Sequence, residues 1–137
     1  MSACCATSVA LAQAFAFVAA MLDSVAADQC VDRDRVFGSG FSMGGYFVHN
    51  LACRGPGIVR AIAPHSGGTY AGACGNGPVP VMILHGTFDP IIAYSCGEEA
   101  AVEWIARNGC DEADLSLLTH LASLVEARFP DLARFQP

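Results

Sequence analysis

Charge is scarce in this chain, and positive charge scarcer still. Of 137 residues 15% are charged, and seven Lys and Arg lie scattered among thirteen Asp and Glu, for a net charge of −6. Nucleic-acid recognition needs clustered cations against phosphate, so this balance argues against it. It also gives little attraction toward anionic membrane surfaces. No Lys or Arg precedes Arg33, so the apolar stretch 9–21 lacks the positive region of a secretory signal, although Ser24-Val25-Ala26-Ala27 resembles a small-residue cleavage site. That stretch is also too short to span a bilayer. It reads as a mostly buried helix over residues 9–27. No CxxC pair occurs, and no histidine stands at zinc-ligand spacing from a cysteine pair, which argues against structural zinc. No repeat or low-complexity linker divides the chain, and its length suits one domain.

What is abundant is apolar surface, at 53% of residues, and cysteine: Cys4, Cys5, Cys30, Cys53, Cys74, Cys96 and Cys110. Such usage points to disulfides in an oxidising compartment. The odd count leaves at least one thiol unpaired or paired outside the chain. The other reading is a set of buried free cysteines packing as small hydrophobes.

Short apolar runs at 35–40, 58–63 and 79–84 (VPVMIL) read as strands. Their near-continuous apolar character fits a buried parallel sheet. Helical stretches fall at 42–53, stopped by Arg54-Gly55-Pro56-Gly57, at 98–107 with Asn108-Gly109 as its cap, and at 113–128 before a short tail. This order predicts an α/β domain with a mostly parallel sheet of about three strands between helical layers. The C-terminal strand ends, where such sheets place their chemistry, carry 40–42, 64–66 and 85–89.

The stretch GSGFSMGG at 38–45 lies between the first strand and the following helix. As a phosphate cradle it lacks two partners. The next strand ends Ala61-Ile62-Ala63-Pro64-His65 with no acid for a ribose, and no Gly-Lys-Ser/Thr occurs. As a nucleophile elbow it fits: Gly40-Phe41-Ser42-Met43-Gly44 is G-x-S-x-G at a strand-to-helix turn. There the residues two before and two after Ser42 lack side chains so that strand and helix can approach. The helix N-terminus favours negative charge beside the hydroxyl, and the Met43 N–H would supply half of an oxyanion hole. Asp89 follows the third strand where an orienting acid belongs; it also suits a plain turn before Pro90.

The residues around these motifs resemble a known family. Cys30-Val31-Asp32-Arg33-Asp34-Arg35-Val36-Phe37 leads into Gly40-Phe41-Ser42-Met43-Gly44-Gly45. Leu51-Ala52-Cys53, residues 61–67 (AIAPHSG), residues 80–89 (PVMILHGTFD) and Trp104 through Asn108-Gly109-Cys110 extend the match over about residues 13–110. The string is similar to the secreted esterases that include polyhydroxybutyrate depolymerases and feruloyl esterases. The resemblance implies part of an α/β-hydrolase fold, Ser42 as nucleophile, Asp89 as acid, and no metal or organic cofactor. Substrates would be polyhydroxyalkanoate esters or hydroxycinnamoyl esters of plant polysaccharide, and the setting extracellular. Two family features do not appear. The strands that precede the elbow helix are missing, and no late Gly-His loop follows Cys110. Residues 111–137 do not resemble the family.

Four histidines compete for the role of base. His49 lies on the elbow helix pointing away from Ser42, in a packing or surface role. His65 and His85 end strands, and the family uses those positions structurally or to line the cleft. His120 alone follows Asp89, as chain order on this fold asks, but its flanks read as helix. Strand and return helix cover similar lengths, which sets Cys53 near Cys30 as the first expected disulfide; Cys74 and Cys96, which flank the rim loops, are the second. Cys110 is left over. Two functional readings remain: a serine esterase, or a non-catalytic remnant or interaction module that keeps the elbow scaffold. With no strand before it, the first strand would present an open edge that self-association could cover.

Overall fold

A computed structural model describes residues 11–69 and 74–111. The elements run α1 (Leu11–Asp28), a 3-10 turn (Arg33–Arg35), β1 (Phe37–Phe41), α2 (Met43–Arg54), β2 (Ala61–His65) and α3 (Tyr94–Asn108). The expected helix at 113–128 and the tail lie outside the described residues, as do Cys4, Cys5 and His120.

β1 and β2 pair in parallel, Phe37 opposite Ala61 through Phe41 opposite His65. Both strands begin two or three residues later than their apolar runs. Before β1, Asp32 accepts a hydrogen bond from the Asp34 N–H at 3.0 Å and winds residues 33–35 into a 3-10 turn. The third apolar run does lie beside β2. Ile62 N–H donates to Pro80 O, Met82 N–H to Ile62 O, Leu84 N–H to Pro64 O and Ser66 N–H to Leu84 O. It registers as two isolated parallel bridges, Ile62 to Val81 and His65 to Leu84, rather than a full strand. Pro64 is the physical reason: it has no N–H for the rung between those bridges.

One face of the sheet is closed by α2. Val48, Ala52, Cys53, Ile62, Val79 and Trp104 form the core, with Phe47, Val59, Val81 and Ile83 against it. Gly38 points into this face, where a Cβ would stand 3.3 Å from Ile62. Phe37 and Phe41 on the other face are each 67% exposed. The described residues therefore form two layers rather than the three expected. α1 is also barer than its sequence suggests. Phe15 alone is buried, against Phe47 of α2 with ring centroids 5.7 Å apart, while Phe17, Met21 and Val25 are exposed. By length and composition α1 would reach across a bilayer, which the shorter apolar run at 9–21 would not.

The disulfides differ from the expected pairs. Cys53 is bonded to Cys74, with Cα atoms 4.7 Å apart. Cys96 is disulfide-bonded elsewhere. Cys30 and Cys110 are free and exposed. The strand-and-helix length comparison does bring Cys53 back to the N-terminal end of the sheet. A second segment must reach that end as well. The third run is parallel to β2, so the chain has to come back down before Val79, and Cys74 lies on that return. There Gly75 N–H and Asn76 N–H both donate to Cys53 O, and the Asn76 amide bridges Ala52 O and Gly55 O at 2.8 and 2.9 Å. These bonds satisfy carbonyls that the end of α2 leaves without helical partners. Gly109, left-handed at φ 64°, caps α3 as its sequence indicates.

Candidate active site at the C-terminal strand ends

β1 runs into Ser42 and α2 leaves from it. Ser42 has φ 54° and ψ −116°, a conformation that costs a non-glycine residue about 1–3 kcal/mol. Its N–H donates to His65 O at 2.9 Å and its carbonyl accepts from Tyr46 N–H at 3.2 Å. The hydroxyl makes no capping bond to the helix it begins. Strain of this kind is what aims a side chain out of a strand-to-helix turn.

The glycines around it do unequal work. A Cβ on Gly40 would collide with the Gly44 carbonyl, whereas a Cβ on Gly44 would meet nothing within 4 Å. The expectation that both must lack side chains is thus corrected: Gly40 is sterically required and Gly44 is not. The second contact belongs to Gly45, where a Cβ would sit 2.9 Å from His65 O and 3.2 Å from Gly67. Gly45 and Gly67 let the first turn of α2 lie directly on the end of β2.

Asp89 lies at the same end of the sheet. Its Oδ1 accepts from the Ile91 and Ile92 N–H groups, each at 3.0 Å. It thus fills the turn role and still leaves Oδ2 turned toward His85 Nε2, 4.0 Å away. The Ile92 and Ile91 N–H bonds hold its carboxyl below the ordinary aspartate range, with the Ser66 hydroxyl and the His85 ring adding to them. β2 alone separates the run before Asp89 from β1, and two strand spacings amount to about 10 Å. The pair His65-Ser66 touches both sides: His65 O holds the Ser42 N–H, and Ser66 holds Asp89.

The three described histidines are engaged elsewhere. His49, 2% exposed, accepts the Trp104 indole N–H on Nδ1 at 2.8 Å. Burial pushes its pKa down to about 4, against a raising effect from Glu103. His85 Nε2 bonds Ile92 O at 2.9 Å. His65 is exposed, edge-on to Phe41 at 5.2 Å. Two further residues shape this end: Ser66, which the sequence places at a strand end without a role, is buried at φ 47°, and Gly97, which the sequence does not single out, makes room for the His85 ring by its missing Cβ. The sequence signals are, for Ser66, its place at the end of the second apolar run and, for Gly97, only a glycine near the start of α3.

The described part is therefore an α/β unit whose strained strand-to-helix serine and loop carboxylate share one sheet end. No protein-family model matches the chain. Curated proteins do. It is 37% identical over 101 residues to a probable feruloyl esterase C of Aspergillus niger, covering 73% of this chain and 37% of that protein. It is 37% identical over 95 residues to feruloyl esterase D of Neurospora crassa, covering 69% of this chain and 33% of that protein. A bifunctional acetylxylan esterase/xylanase of Neocallimastix patriciarum is 35% identical over 79 residues, 57% of this chain and 12% of that protein. These similarities establish a family relationship to the feruloyl esterases over that segment. The chain spans about 37% of the length of the first of these relatives.

Proposed function

We propose that this chain carries the nucleophile and acid of a carboxylic-ester hydrolase on part of an α/β-hydrolase fold, with Ser42 and Asp89 in those roles. The carrying observation is the Ser42 backbone at φ 54° and ψ −116°, held by His65 O, at the sheet end that also holds Asp89. Ser42 Oγ attacks the ester carbonyl while a histidine takes its proton. The alcohol leaves with a proton from that histidine, and water then hydrolyses the acyl-serine. Asp89, held ionised by its N–H donors, orients the histidine and stabilises its cation. His120 is the histidine that chain order admits, and it lies outside the described residues. The relatives' names favour hydroxycinnamoyl or acetyl esters of polysaccharide as substrate; polyhydroxyalkanoate esters are the other class this family resemblance suggests. The Cys53–Cys74 bond favours an oxidising, extracellular setting.

A fluorophosphonate probe tests the assignment directly. Labelling of the purified chain that disappears in Ser42→Ala supports an activated serine, and screening of feruloyl, acetyl and hydroxybutyrate esters then separates the substrates. Absence of labelling in a folded sample would falsify the assignment.

A second reading has its own observation. None of the three described histidines joins Ser42 to Asp89, since His49 is tied to Trp104, His85 to Ile92 and His65 lies against Phe41. A scaffold that keeps the elbow and binds a partner would look the same. Among the described residues nothing pairs with the outer edge of β1, and Phe37 and Phe41 are exposed beside it. Self-association would cover that edge. Sedimentation velocity that shows only monomer at high concentration would rule it out.

A further inference from the structure

We propose that His85 is a positioning residue for Asp89, acting through the backbone of Ile92. The inference rests on the reading of Asp89 as the acid, but its geometry stands apart from any reaction.

Ile92 is gripped at both of its backbone polar atoms. Its N–H donates to Asp89 Oδ1 at 3.0 Å, and its carbonyl accepts from His85 Nε2 at 2.9 Å. Because a carbonyl only accepts, Nε2 carries the proton. His85 Nδ1 is buried and, among the described residues, has no hydrogen-bond partner, so every polar contact of the ring with them runs through Nε2. The ring cannot swing away. Its side chain is 3% exposed, Gly97 of α3 lies so close that a Cβ there would stand 2.7 Å from Nδ1, and Tyr94 meets the ring edge-on at 6.0 Å. From the other side, Leu84, the preceding residue, is bonded to Pro64 O and to Ser66 N–H.

His85 thus transmits the position of the sheet and of α3 to a single loop residue. That residue in turn fixes the Asp89 carboxylate. With Oδ1 held by two N–H groups, Oδ2 is the oxygen left to face an imidazole. His85 itself is not the base. Its Nε2 is committed to Ile92, its other nitrogen is enclosed, and it stands 4.0 Å from Oδ2 without an opening to substrate. Packing alone would make the same demands on a ring of any chemistry. The proposal differs in requiring a donor at Nε2.

The experiment follows the Asp89 carboxyl carbon by NMR through an acid titration in the wild-type chain, His85→Gln and His85→Phe. In the wild type the midpoint lies below the ordinary aspartate range. His85→Gln, whose amide N–H reaches a similar place, keeps it there. His85→Phe fills the space without a donor, frees Ile92, and moves the midpoint upward. Gly97→Ala provides a second variant, which leaves the imidazole in place but pushes it off Ile92, and it moves the midpoint the same way. An Asp89 midpoint unchanged in both His85→Phe and Gly97→Ala overturns the proposal, and so does a His85→Gln variant that behaves like His85→Phe. Ser42 labelling is read in parallel. If labelling is absent and the Asp89 shift is present, ester hydrolysis falls and the positioning role stands. Where labelling is present, His85→Phe lowers the turnover rate roughly tenfold to a hundredfold with little change in KM, the cost of a misplaced group.

Discussion

The two ends of the small sheet are built on opposite terms. At the C-terminal end, positive φ falls on serines, Ser42 at 54° and Ser66 at 47°. At the other end it falls on glycines, Gly57 at 70° and Gly109 at 64°, where it costs almost nothing. The lower end is also closed by cross-links of every kind. It has the Cys53–Cys74 bond, the Asn76 amide across Ala52 and Gly55, and a two-way bond between Asn108 and the Val79 backbone at 2.8 and 3.0 Å. His49 and Trp104 tie α2 to α3 just above it. The upper end keeps its strain because the lower end over-determines where β1, β2 and α2 lie. A strained turn on so small a unit needs such a division, since strain spread over both ends would leave no margin of stability.

The comparison breaks most sharply at Gly40. Gly40→Ala drives a Cβ into the Gly44 carbonyl, backbone against backbone, and destabilises the chain by roughly 3–5 kcal/mol or prevents folding. Gly44→Ala does the reverse. Its Cβ meets open space inside α2, so stability rises by about 0.5–1 kcal/mol as for other helical glycines. Urea melts of the two variants check this, and equal losses in both would show that the elbow crowds its glycines symmetrically.

At the lower end the disulfide is the larger element. It closes a separation of 21 residues, so Cys53→Ser with Cys74→Ser costs about 3 kcal/mol through the unfolded state, with Ser42 labelling per folded molecule unchanged. His49 adds a pH-dependent share. Its folded pKa is about 4 against an ordinary 6.5, so between those values the unfolded chain takes up a proton that the folded chain refuses. Stability is therefore full above that window, falls as pH falls through it, and levels below it. The whole effect is on the order of 3 kcal/mol. Glu103 touches only the acid edge of this window. Burial pushes its carboxyl up, but Thr69 and Arg107 outweigh that and hold it low, so its own loss begins only near the ordinary glutamate value of 4.5, at the acid edge of the His49 window, and runs on to more acid pH. In His49→Gln the difference in urea midpoint between about pH 7 and about pH 4.5 shrinks by that share; an unchanged slope would mean His49 takes up its proton while folded.

Much of the upper end was legible in the sequence, and much of the lower end was not. Gly40 and Ser42 announce the turn because glycine and serine at fixed spacing answer a local steric demand. Asp89 was legible as a turn residue for the same reason, and its carboxylate does bond the next two N–H groups. Cys74 was misplaced because its partner depends on a return path that covers the length of a strand, a tertiary quantity. The apolar content of α1 predicts burial, yet content does not say whether a partner face exists, and only Phe15 finds one. The third strand was over-read because its own apolar run is strand-like, while the missing rung belongs to Pro64 of its neighbour. The sequence places Ser66 at a strand end but gives it no role: a serine in a left-handed turn is recognisable only once the carboxylate beside it is in place.

The smallest expected effect is also the one that most sharpens the contrast between the ends. Ser42→Ala leaves a Cβ at φ 54°, so the strain persists and stability stays within about 0.5 kcal/mol of wild type. Ser42→Gly removes the Cβ and releases about 1–3 kcal/mol of backbone strain, while the more flexible unfolded chain takes back about 0.4–1. A net gain of about 1 kcal/mol is expected, read as a higher urea midpoint at unchanged slope. Both variants lose the hydroxyl and with it any labelling, so only the strain differs between them. If Ser42→Gly is no more stable than Ser42→Ala, the upper end holds no strain to release, and the half-buried serine would owe its direction to the loop around it rather than to the turn itself.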